Sequence, residues 1–262
     1  MIEWRLGTMG FGYADWNGPF YLAGTKPSEY LAHYARYFNS VELDTTFYAT
    51  PDEARVRHWA ASVPDDFRFA AKTPRTVTHE GTLERNAPLM LEFVDTMRAL
   101  EHKLGIILIQ FPPSFAAANA PKLRTLLSAL PGDVRFAVEF RHSSWFNRNT
   151  EQLLEDHRVA LVAGEYAAPA REVSLTTDML YIRWVGEHHR FSKLNYEQVD
   201  LTDRLLWWQT ELHAKSKRVK QIWGYFNNDY SGYAIATCQR FKQMNGLAGA
   251  PIEAPRQPTL FD

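Results

Sequence analysis

Short β-branched and aromatic runs alternate with stretches of helical spacing along almost all of this sequence, and that alternation constrains its fold more than any other feature. Strand-like runs are read at residues 4–8, 40–44, 67–72, 105–111, 134–140, 159–163, 179–184 and 221–226. Helical spacing follows most of them. Tyr30, Leu31, Tyr34, Ala35 and Phe38 share a face after Pro27. Residues 52–63, the Met90/Phe93/Val94/Met97/Leu100 set and the Leu123/Leu126/Leu127/Leu130 set read the same way, as do residues 150–156, 203–215 and 230–244. The sixth run returns through residues 165–177, which show little helical pattern and read as a loop.

Strands separated by helices pair in parallel through crossovers. Eight such units in 262 residues predict an α/β fold, a single-domain (β/α)8 TIM-type barrel over residues 1–245. Neither G-x-G-x-x-G nor G-x-x-x-x-G-K-[ST] occurs, so no nucleotide-cofactor loop supports the rival open sheet. Residues 246–262 change character: small residues, then Pro251, Pro255 and Pro258, predict a flexible tail.

Composition bounds the function classes. Lys and Arg total 29 against 30 Asp and Glu, which argues against a protein that coats nucleic acid by bulk charge. The lone cysteine, Cys238, excludes an internal disulfide and a Cys-rich zinc site, and suits a reducing cytoplasm. The opening residues lack a basic segment followed by an apolar one, so no secretory signal is expected, and no membrane span is read.

Strand parity then sorts the side chains, because alternate residues face opposite sides. Val41, Leu43, Phe69, Ala71, Ile107, Ile109, Phe111, Phe136, Val138, Phe140, Ile182, Trp184, Ile222 and Phe226 form the apolar, helix-facing set. That leaves Glu42, Asp44, Lys72, Gln110, Glu139, Arg141, Tyr181, Arg183, Tyr225 and Asn227 pointing inward, and in a barrel the C-terminal strand ends line the mouth. Burying charges costs several kcal/mol each unless they are paired. Either Glu42, Glu139, Lys72, Arg141 and Arg183 neutralise one another as a structural plug, or they line a pocket for an anionic or polyhydroxylated ligand.

Several motifs carry a family resemblance. They are Gly7-Thr8-Met9-Gly10 with Trp16, Val41-Glu42-Leu43-Asp44-Thr45-Thr46-Phe47-Tyr48, Phe69-Ala70-Ala71-Lys72 with Thr78-His79, and Gly105 to Pro113. Glu139-Phe140-Arg141-His142-Ser143-Ser144-Trp145, Tyr181-Ile182-Arg183 and Tyr225-Phe226-Asn227-Asn228-Asp229 follow in order. Together they resemble the YecE-like family, domain of unknown function 72. The resemblance implies a TIM-type barrel and supplies no reaction. Asp44 stands where that pattern has Asn, and Trp184-Val185-Gly186 stands where it has x-His-Gly after Arg183, so no histidine is available at position 185.

As acid and base, or as ligands of a shared divalent metal, Glu42 and Glu139 are the candidate catalytic carboxylates, with Lys72. Lys72, Arg141 and Arg183 suit phosphate, and a Schiff-base role for Lys72 would need a lowered pKa that nearby carboxylates oppose. Asp44, Tyr48, His79, Gln110, His142, Trp145, Tyr225, Asn227, Asn228 and Asp229 complete the expected substrate-binding set, with the rings available for stacking. His79 and His142 with the acids offer a weak N/O metal pattern. In the tail, Gln257-Pro258-Thr259-Leu260-Phe261 looks like the Q-x-x-L-F peptide that docks on the bacterial sliding clamp. The favoured expectation is an enzyme acting on a phosphate-containing substrate, including a nucleic-acid phosphodiester. The alternatives are a ligand-binding adaptor recruited to replication or repair machinery, and a sugar-phosphate isomerase or aldolase.

Overall fold

The computed structural model describes residues 2–166, 173–247 and 252. The clamp-peptide residues Gln257, Leu260 and Phe261 lie outside them. The strands are β1 (Glu3–Thr8), β2 (Ser40–Leu43), β3 (Arg68–Lys72), β4 (Leu104–Gln110), β5 (Phe136–Glu139), β6 (Ala160–Glu165), β7 (Met179–Trp184) and β8 (Gln221–Phe226). They form one parallel sheet in the order β1-β8-β7-β6-β5-β4-β3-β2, curled into a (β/α)8 barrel. The helices are α1 (Tyr30–Tyr34), α2 (Glu53–Ala61), α3 (Arg75–Thr78), α4 (Leu83–Met97), α5 (Ala120–Ala129), α6 (Arg148–Asp156), α7 (Thr202–Lys215), α8 (Asn228–Ser231) and α9 (Ala234–Met244).

Parity sorts the core into two clusters. The outer one holds Val41, Leu43, Phe69, Ile107, Ile109, Val138, Ile182, Trp184 and Phe226 against the helices. The inner one holds Ala70, Ile106, Leu108, Ala137, Met179, Tyr181, Trp223 and Tyr225 inside the barrel. Its middle levels are a packed apolar plug, and polarity gathers at the two ends: Glu3, Arg5, Arg135 and Gln221 interlink at the N-terminal end of the strands, and a second polar set occupies the upper rim.

Side chains complete the seam between β1 and β2. The Asn39 amide donates to Trp4 O at 2.8 Å and accepts from Leu6 N at 3.2 Å. The Tyr34 hydroxyl accepts from Thr8 N at 2.8 Å and donates to Ser40 O at 3.1 Å. Above these, Gly10 N donates directly to Glu42 O at 2.8 Å. The strands approach so closely that a Cβ on Gly7 would collide with the Ser40 carbonyl oxygen. Only glycine fits there.

One predicted helix divides. Residues 230–244 read as continuous, but Gly232, at φ 100°, ends α8 and lets α9 start at Ala234. Glycine reaches that left-handed conformation without the Cβ penalty. Residues 173–178, the described part of the β6–β7 return, are non-helical as read. Among the described residues no helix is long and apolar enough to cross a membrane.

Candidate functional site

Arg183, near the end of β7, holds the centre of the upper rim. Its Nε and Nη2 donate to Glu42 Oε2 and Oε1 at 3.0 and 2.7 Å, and its Nη1 donates to Glu139 Oε2 at 2.6 Å. Tyr181 donates to Glu42 Oε2 at 2.7 Å, and Tyr166 donates to Glu139 Oε1 at 2.6 Å. Arg141 Nε also donates to Glu139 Oε1. Glu42, Glu139 and Arg183 are 0%, 1% and 4% exposed. Two carboxylates thus meet two guanidiniums, and the formal charge of the network closes to zero. Burial would raise the Glu139 carboxyl, but Arg183, Arg141 and the Tyr166 hydroxyl outweigh it and hold the pKa down at about 2. Burial would strip Arg183 of its proton, yet the same carboxylates keep it firmly charged.

Above this network opens a cavity of about 680 Å³, lined by Asp44, Tyr48, Lys72, Gln110, Arg141 and Arg183, with Asn227, Asn228 and Asp229 on its far side. Glu42 and Glu139 are not among its lining residues. Their expected roles are acid, base or metal ligand; their oxygens are instead taken up beneath the floor by arginine and tyrosine donors.

Lys72 stands apart from the ion-pair network. Among the described residues its Nζ has no ion-pair partner, and it sits 3.8 Å from the centre of the Phe47 ring. The local fold explains the placement. A 3-10 turn, Thr45–Phe47, follows β2, and Thr46 Oγ1 ties it to Leu43 O at 2.7 Å and to Lys72 O at 2.6 Å, which sets Phe47 over the end of β3. Burial, then the Arg183 charge, lowers the Lys72 amine to about 8 against the opposing pull of Glu139, Glu42 and Asp44. Asp44 moves the other way. Burial and Glu42 push its carboxyl up to about 6, against Arg183 and Lys72.

Arg141 uses only Nε on Glu139; among the described residues Nη1 and Nη2 have no protein partner. Its guanidinium lies 4.0 Å from the centre of the Tyr166 ring, which fixes its plane. Asn228 accepts from Trp16 Nε1 at 3.2 Å and from Ala234 N at 3.0 Å, while its buried Nδ2 has no partner among the described residues. Asn227 Oδ1 caps α8 by accepting from Asp229 N at 2.9 Å. Asp229 Oδ2 lies 3.6 Å from His188 Nδ1.

Four expected ligand contacts lie away from this cavity lining. Trp145 stacks on the outward-facing Phe140 at 4.2 Å and donates to Phe115 O at 2.6 Å, so it belongs to the outer shell. Tyr225 is fully buried inside the barrel, bonded to Ser40 Oγ at 2.6 Å. His142 pairs with Ser144 Oγ at 2.8 Å and caps a short 3-10 turn. His79 bonds Thr78 Oγ1 at 2.7 Å and meets the Phe47 ring edge-on, one layer behind the wall. Burial, then Lys72 and Arg75, lowers its pKa.

Other contributors have weak sequence signals. Phe47, His188, His189 and Phe191 line the cavity, and Tyr166 braces Glu139 from the end of β6. The paired histidines just after Gly186 were a visible cue, and they flank the same opening as Val185, where the family pattern has His. Among the described residues no group of three or more His, Cys, Asp or Glu side chains is placed to hold a metal ion.

Fold and site together define a (β/α)8-barrel protein with a polar, ion-paired mouth at the C-terminal ends of its strands. The chain belongs to the DUF72 family, described as a protein family of unknown function, whose profile matches residues 5–260. YecE of Escherichia coli K12 is 36% identical over 141 residues, 54% of this chain and 51% of YecE, so that match spans about half of the relative's length. YunF of Bacillus subtilis is 26% identical across 98% of this chain and 99% of its own. The crystal structure of a DUF72 protein from Thermotoga maritima, 29% identical, superposes with a TM-score of 0.78 over 93% of this chain and 99% of that one. An Enterococcus faecalis DUF72 structure, 22% identical with a TM-score of 0.75 over 95% and 99% of the two chains, shares the fold.

Proposed function

We propose that this barrel is an enzyme whose substrate carries a phosphate or comparable anionic group and binds in the rim cavity. The observation that carries the reading is the pairing state of the cations. Arg141 Nη1 and Nη2 and the Lys72 amine have no partner among the described residues, in one cavity. A plug built for stability alone would engage them; a guanidinium with two spare N–H donors beside an ammonium matches a tetrahedral anion. The Asn228 amide supplies a further donor.

Proton transfer falls to Asp44 and Lys72, whose surroundings move their pKa values to about 6 and about 8, either side of neutrality. Glu42 and Glu139 act as positioning residues that fix the arginines. The substrate class includes a nucleic-acid phosphodiester. We propose, from the tail sequence alone, that Gln257, Leu260 and Phe261 recruit the barrel to a bacterial sliding clamp.

Thermal unfolding with inorganic phosphate tests the site. Phosphate raises the Tm of the wild type, and Arg141→Gln loses most of that rise. A wild-type Tm indifferent to millimolar phosphate and to phosphorylated small molecules ends the reading. A ligand-binding adaptor would keep its phosphate response and its cellular role in Asp44→Asn, whereas an enzyme loses turnover.

A further inference from the structure

Resting on that reading, we propose that Lys72 captures a carbonyl: its amine condenses with an aldehyde or ketone that also bears a phosphate, forming an imine on the protein. The substrate class narrows accordingly to phosphorylated carbonyl compounds.

The geometry singles out this lysine. It lies at the C-terminal end of β3, where barrel enzymes carry their reacting groups. Lys103 and Lys242 are also well buried, but their amines are tied to backbone carbonyls, Lys103 to Ala60 O and Val63 O, Lys242 to Tyr37 O. Lys72 carries no such tie among the described residues, packs against the Phe47 ring and opens on the cavity. Of the three carboxylates that pull towards the charged amine, Glu42 and Glu139 are committed to Arg183 and Arg141, which leaves Asp44 to exchange a proton with it. A desolvated lysine beside another cation is the arrangement that frees an amine for nucleophilic attack near neutral pH. Arg141, in the same cavity, is left for the phosphate.

The step balances without a redox partner. The neutral Lys72 amine attacks the carbonyl carbon, a C–N bond forms, and the C=O π pair moves to oxygen, which takes a proton from the acid form of Asp44. Nitrogen returns its extra proton to Asp44. The hydroxyl, protonated again by Asp44, leaves as water while nitrogen forms C=N and gives up its last proton to the Asp44 carboxylate. One amine and one carbonyl become one imine and one water.

The full chain, treated with glycolaldehyde phosphate and sodium borohydride and then mapped by peptide mass spectrometry, tests this. A single secondary-amine adduct forms at Lys72, in excess over exposed Lys217 by about tenfold or more at pH 7.5. Inorganic phosphate suppresses it, and unphosphorylated glycolaldehyde labels it far less. Lys72→Arg unfolds cooperatively like the wild type and loses the adduct. Label spread evenly over surface lysines, in a protein whose Tm still responds to phosphate, overturns the imine and leaves the anion site standing. Selective Lys72 labelling that phosphate neither suppresses nor accompanies with a Tm rise keeps the capture and removes the anion reading.

Discussion

Arg183 and Glu42 meet side-on, Nε to Oε2 and Nη2 to Oε1, with both side chains closed off from solvent. The pair joins β7 to β2 across the barrel, 141 residues apart in sequence. Removing one partner leaves the other charge buried without compensation. Glu42→Gln therefore lowers unfolding stability by roughly 3–5 kcal/mol. Urea titration measures it; a loss within about 0.5 kcal/mol, the ordinary range for surface substitutions, would show that the pair holds nothing together.

Acid should unfold the protein through Glu139. Its folded pKa of about 2 lies below the ordinary 4.5, so the folded state binds fewer protons than the unfolded state between those values. Stability from this group is present above pH 4.5 and lost as pH falls towards 2. Glu139→Gln flattens that part of the stability curve, a difference visible in unfolding midpoints taken across the window.

Lys72 works against folding. Its folded pKa of about 8 lies below 10.5, so the folded state gives up this proton first and stability attributable to the group rises with pH between the two. Lys72→Met stabilises the protein at pH 7 by an amount on the order of 1 kcal/mol, a gain that shrinks as pH rises past 8. Calorimetry at pH 7 and pH 10 makes the comparison; equal gains at both contradict it.

At the level of Thr8 the β1–β2 seam depends on one hydroxyl. Tyr34→Phe strips the partner from the buried Thr8 N–H and costs about 1–3 kcal/mol. Hydrogen exchange localises the damage, with the Thr8 amide losing protection before those of β4 and β5. Gly7→Ala is more severe, because its new methyl group meets the Ser40 carbonyl, and its expected outcome is failure to accumulate as folded protein.

A peptide of residues 253–262 binds a bacterial sliding clamp in a direct titration, and Phe261→Ala abolishes the binding. Absence of binding at high micromolar peptide removes the docking proposal.

Parity made the barrel legible. Once Val41 and Leu43 are assigned to the helices, Glu42 has to point inward, and the same logic turns Arg183, Glu139 and Lys72 into the interior. Parity cannot say who pairs with whom at the rim. Lys72 and Arg183 are both inward cations, yet one takes both carboxylates and the other an aromatic ring, because a 3-10 turn after a different strand delivers Phe47. Trp145 was misplaced for a related reason. It packs on Phe140, which parity had already sent outward, and following that residue would have carried the indole with it.

The first strand has its full-length ladder on β8, from Glu3 opposite Gln221 to Thr8 opposite Phe226, and borrows side chains on its other flank. A ribosome extruding this chain must therefore release more than two hundred further residues before β1 finds its mate; Glu3 and Gln221 are 218 positions apart. Until then that segment is an unpaired edge, and any half-made barrel is open to capture by chaperones or by its own kind. Closure of the cylinder waits until β8 has been made.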